Sequence, residues 1–77
     1  MSECVTGTVR WFNETKGYGF IAGPDNQDYF VHYSALKNAG IRNLFEQQKV
    51  KFEVVKTPRG YSAENVQIVK VTNGNQL

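Results

Sequence analysis

The sequence predicts an all-β protein, a five-stranded antiparallel Greek-key barrel. Three observations carry that prediction. Short runs rich in Val, Thr, Phe and Tyr recur along the chain, and no amphipathic helical period is sustained anywhere. Turn chemistry punctuates the runs, at 13–17, at Gly23-Pro24-Asp25-Asn26 and at Thr57-Pro58-Arg59-Gly60. Closing the strands on themselves removes the open edges that two loose hairpins would leave.

The elements follow in order. Val5 to Asn13 reads as the first strand. Strict alternation would put Trp11 on the side of Val9, a core residue, so a bulge or strong twist is expected near Trp11; Phe12 fits either face. The second strand is expected over Tyr18–Ala22 and the third over Gln27–His32, joined tightly enough to form an antiparallel hairpin. Ser34-Ala35-Leu36 reads as one helical turn capped by Ser34. A long loop from Lys37 to Gln48 is expected to be pinned to the core by Leu44 and Phe45. Lys49 to Lys56 sets Val50, Phe52 and Val54 on one face, which makes a fourth strand with one side buried. Tyr61 to Val71 is expected as the fifth, and the polar tail 72–77 as frayed. With no repeat and no linker, residues 1–77 read as one domain with its barrel over about 4–71. Five short strands with one long connection fit the OB type of barrel, in which strands 2 and 3 commonly carry the oligonucleotide site.

Composition narrows the function classes. The 77 residues carry a net charge of +2 and a pI near 8.8, a mild excess unlike that of a protein gripping duplex phosphates by charge alone. Cys4 is the only cysteine, so neither an internal disulfide nor a cysteine metal cluster can form, and an ordinary small apolar role is expected for it. There is no membrane-length apolar run and no leader pattern; the chain reads as cytoplasmic.

The aromatics are concentrated. Seven of the ten lie between Arg10 and Tyr33. Parity puts Lys16, Tyr18 and Phe20 on one side of their strand and Asp28, Phe30 and His32 on one side of theirs. The opposite side of the second strand is Gly17, Gly19 and Ile21, so it can lie close against other backbone while the rings face outward. Flat rings with a few polar groups on an open sheet make a stacking platform for unpaired bases.

Lys16-Gly17-Tyr18-Gly19-Phe20-Ile21 and Tyr29-Phe30-Val31-His32-Tyr33 closely resemble the two ribonucleoprotein motifs of the cold-shock domain, and Trp11-Phe12-Asn13 and Ala63-Glu64-Asn65-Val66 also look like that family. The similarity covers roughly Val5 to Val69. It implies an OB barrel that binds single-stranded RNA and DNA with low sequence preference, acts as an RNA chaperone, and takes part in cold adaptation and gene-expression regulation. Carried over by position, the binding set is Arg10, Trp11, Asn13, Lys16, Tyr18, Phe20, Asp28, Phe30, His32, Tyr33 and Arg59. This sequence departs from the family pattern at Ile41, where many members carry an aromatic, and at Tyr61, where a proline is usual. The first motif also resembles part of the RNA-recognition motif, but that α/β domain places its partner motif upstream and needs helices this chain lacks.

No catalytic reading survives. Residues two apart on one strand do not normally meet at hydrogen-bonding distance, so His32 and Ser34 make a poor base and nucleophile. One histidine and one distant cysteine make a metal site unexpected. No Gly-Lys-Ser/Thr phosphate loop is present to drive a helicase. The expectation is a monomeric, non-enzymatic binder of single strands with no cofactor, metal, membrane partner or small-molecule substrate. A barrel that docks a protein on the same aromatic patch is the alternative. Asp28 is open to two roles, accepting from base amino groups or supporting its hairpin turn.

Overall fold

Period-two alternation, with Val and Phe inward, builds five strands around one apolar interior. The computed structural model describes residues 3–69: β1 Glu3–Asn13, β2 Tyr18–Ala22, β3 Asp28–His32, β4 Lys49–Thr57 and β5 Gly60–Ile68. They close into a barrel in the order β1-β2-β3-β5-β4. Val9, Ile21, Val31, Val50, Phe52 and Val66 are the largest fully buried side chains of the strands. Four of the five seams are antiparallel, and β3 meets β5 in parallel. An odd ring cannot alternate direction all the way round, so one parallel seam is obligatory. It is also the shortest, with Phe30 opposite Ser62 and Val31 opposite Ala63.

β1 serves two partners because it bends. Its first half pairs with β4 and its second half with β2. Val9 pairs Ile21 and Trp11 pairs Phe20, so Arg10 is an extra residue, and this bulge turns Trp11 outward to 39% exposure. Gly19 explains how β2 lies so close to it. A Cβ there would stand 2.2 Å from the Trp11 carbonyl oxygen and 2.6 Å from the Phe12 Cα. Phe12 is half-buried and packs against the core.

The connection between β3 and β4 holds most departures from the sequence reading. Tyr33–Ala35 is a 3-10 turn, but His32 caps it, with Nδ1 accepting the Ser34 N–H at 3.2 Å. The cap falls there because the strand ends at His32 and folds Ser34 back under the ring. A second 3-10 turn, Lys37–Ala39, ends at Gly40 in the left-handed region with φ 71°. Leu36 and Leu44 reach the core, whereas Phe45 is 64% exposed. Phe45 opens a turn closed by the Gln48 N–H on its carbonyl at 3.1 Å, and Val9 clips that turn to β1 through Gln47 and Gln48, each at 2.9 Å. With Leu44 taking the inward position, its neighbour is turned to solvent. β3 starts at Asp28, one residue later than expected. β5 ends at Ile68, opposite Val50, and the next residue still reaches β4, the Val69 N–H donating to the Lys49 carbonyl at 3.1 Å. The expected continuation to Val71 and the expected fraying of 72–77 lie outside the described residues. Cys4 is exposed.

Candidate nucleic-acid interface

Each element supplies outward residues to one face of β1–β3. Register sets Trp11 opposite Phe20, Phe20 opposite Phe30, and Tyr18 opposite His32. The rings form a closed circuit of neighbours. Trp11 lies 5.6 Å from both Tyr18 and Phe20, Phe20 lies 5.8 Å from Phe30, and Tyr18 lies 6.0 Å from Phe30. Three of these contacts are edge-on, and Tyr18 and Phe30 are stacked at 27°. Such pairs contribute about 0.5–1.5 kcal/mol each beyond area burial, so the patch holds its shape without a covering partner. His32 continues it to Tyr33 at 5.2 Å, and the Lys37 ammonium stands 5.7 Å over the Tyr33 ring. Lys37, at the start of the long connection, therefore borders the aromatic row.

The polar residues divide by what holds them. Asn13 organises the 14–17 turn: its Oδ1 accepts the Lys16 N–H at 2.8 Å, and its carbonyl accepts the Gly17 N–H at 2.7 Å. Gly17, at φ 76°, lets the turn close beneath the Tyr33 ring. Lys16 is exposed on this turn. Arg59 is exposed on the β4–β5 turn, its N–H bonded to Thr57 Oγ1 at 3.2 Å. It lines a cleft of about 530 Å³ beside Phe20 and Phe30, together with Gln27, Asp28, Thr57, Tyr61 and Ser62. Asp28 is ion-paired to Arg10 Nε, and Arg10 Nη2 donates to Asn26 Oδ1 at 3.0 Å. Asp28 therefore has a partner within the fold, 18 residues away, that no local pattern reveals.

His32 Nδ1 lies 3.0 Å from Ser34 Oγ, so these two do meet, contrary to the strand-based expectation. The reason is the 3-10 turn that begins at Tyr33. The same nitrogen receives the Ser34 backbone N–H, which makes the contact a cap. Among the described residues no three His, Cys, Asp or Glu side chains converge as metal ligands, and no helix is long and apolar enough to cross a membrane.

Residues 5–69 match the "Cold-shock" DNA-binding domain. The chain belongs to that family. It is 53% identical over 60 residues to cold shock protein 1 of Lactiplantibacillus plantarum, covering 78% of this chain and 91% of that one. It is 52% identical over 62 residues to the major cold shock protein CspA of Bacillus cereus, covering 80% and 92%. To the major cold shock protein CspA of Pseudomonas aeruginosa it is 45% identical over 69 residues, covering 90% and 100%. This cold-shock domain is thereby a nucleic-acid-binding module on a closed β-barrel. Its two departures from the family pattern have structural places. Ile41 is half-buried and packs against the core, and Tyr61 packs its ring 5.6 Å from Tyr29.

Proposed function

We propose that this cold-shock domain binds single-stranded RNA and DNA with low sequence preference and acts as an ATP-independent RNA chaperone. The observation that carries the reading is the four-ring circuit of Trp11, Tyr18, Phe20 and Phe30, exposed or half-exposed on one face of three strands, at spacings of 5.6–6.0 Å. Every base has a π-face, so a row of rings binds unpaired bases with little regard to sequence. His32 and Tyr33 extend the row, and Lys16 and Arg59 meet the backbone. Asn13 acts by shaping the turn that carries Lys16. Strand separation follows by mass action. Each stacked base contributes about 1–3 kcal/mol, so several together outweigh a marginal hairpin without fuel.

Titration of the Trp11 fluorescence tests this. A short oligothymidine quenches it, and a duplex of equal length does so far less, since paired bases hide their faces. Equal quenching by both, or none by either, sinks the proposal.

A further inference from the structure

The family resemblance brings Arg10 to the binding set as a cation for the strand, but its surroundings give it different work. We propose that Arg10 is a positioning residue, a clamp that cancels the charge of Asp28 and ties the β2–β3 turn to the β1 bulge, and that it is not a phosphate contact. The inference rests on the single-strand reading above.

The geometry is specific to arginine. Nε and Nη2 form one edge of the planar guanidinium, and each has its own acceptor: Asp28 Oδ1 for the first, Asn26 Oδ1 at 3.0 Å for the second. Asn26 is held to receive it. Its backbone is left-handed, φ 65°, and its N–H donates to the Gly23 carbonyl at 2.9 Å. Arg10 is itself the extra residue of the bulge that turns Trp11 outward, so the clamp anchors the platform at its first ring.

Charge makes the second half of the case. Asp28 shares the outward side of β3 with Phe30 and His32 and lines the cleft beside Arg59. A bare carboxylate there repels an anionic strand. Paired with Arg10, the two sum to zero, and Lys16 and Arg59 remain as the cations that meet phosphate. Each phosphate neutralised on a single strand contributes about −0.7 to the slope of log K against log salt, so two give roughly −1.4 where three would give roughly −2.1.

The test is oligothymidine affinity across a salt series for wild type, Arg10→Gln, Asp28→Asn and the double variant. Arg10→Gln strips the cover from Asp28 and weakens binding about threefold at low salt, in the range of an exposed charge pair. Adding Asp28→Asn recovers most of that loss and returns the slope to the wild-type value. A double variant with a slope about 0.7 shallower than wild type makes Arg10 a phosphate contact and overturns the proposal. In the free protein, Asp28→Asn shifts the Arg10 Nε–H resonance; an unmoved resonance removes the clamp. Wild-type protein that leaves the oligothymidine unbound overturns the single-strand reading instead, and the resonance still decides whether the clamp exists.

Discussion

Phe30→Ala and Phe52→Ala separate platform from core with one kind of truncation. Phe52 is 1% exposed and touches Tyr29 at 5.0 Å, so its removal opens a cavity between β4 and the barrel interior. Phe to Ala at such a site costs about 3–5 kcal/mol. A domain of this size has roughly 4–12 kcal/mol in all, at about 0.05–0.15 kcal/mol per residue. The variant is therefore close to unfolded or well below wild type in urea. Phe30 is 38% exposed, and its removal leaves a dent open to water, with no enclosed void. What it loses is the edge contact with Phe20 and the stack on Tyr18, together on the order of 1 kcal/mol at a half-exposed site. Binding loses one stacked base, about 1–3 kcal/mol, or roughly 5- to 140-fold in affinity. Trp11 remains a valid reporter, because its own ring neighbours are Tyr18 and Phe20. Urea unfolding followed by circular dichroism gives the first quantity and fluorescence titration the second, at several salt concentrations. The salt slope stays put, since no cation is removed. If Phe30→Ala unfolds in the same urea range as Phe52→Ala, or binds oligothymidine as wild type does, the outward rings are not the binding surface.

Other substitutions probe the neighbouring parts. Lys16→Gln makes the salt slope about 0.7 shallower with little change in urea midpoint; an unaltered slope removes Lys16 from the phosphate contacts. Ile41→Phe, which would add a stacking subsite if the loop faced the ligand, meets the core instead, so it lowers stability by about 1–3 kcal/mol and leaves affinity alone. Tighter oligothymidine binding by that variant would show that residue 41 reaches the strand. Gly19→Ala drives a methyl group into the Trp11 carbonyl and the Phe12 backbone, which cannot give way as a flexible side chain would. It costs at least the roughly 1–3 kcal/mol of overpacking, and a wild-type urea midpoint contradicts the β1–β2 approach described.

The outward row of rings is legible because strand parity is a strict local rule. Knowing only that Tyr18, Phe20, Phe30 and His32 alternate with Gly19, Ile21, Tyr29 and Val31 suffices to sort the two faces. Even the bulge at Arg10 was foreshadowed, by the conflict between Val9 and Trp11 over one side. What escaped depends on residues far apart in sequence. Asp28 finds Arg10 only once β1 and the β2–β3 turn are side by side. Phe45 and Leu44 are adjacent and similar in polarity, and only the clip to Val9 decides which one is turned in. The cap of the 33–35 turn falls to His32 and not Ser34 because strand and turn meet inside one dipeptide, and His32 there serves both.

The odd strand count reaches further than one short seam. Neighbours that run in the same direction cannot be joined by a tight turn. The chain leaving β3 must therefore pass beyond the place of β5, its eventual neighbour, and lay down β4 on the far side before returning. Both 3-10 turns lie against β5 on that journey, and Leu36 and Leu44 drop into the interior from it. What looks like a dispensable surface excursion is the barrel's stopper, placed where ring arithmetic required a detour. A deletion between Leu36 and Leu44 would uncork the interior while leaving the ring-bearing strands with their full sequence.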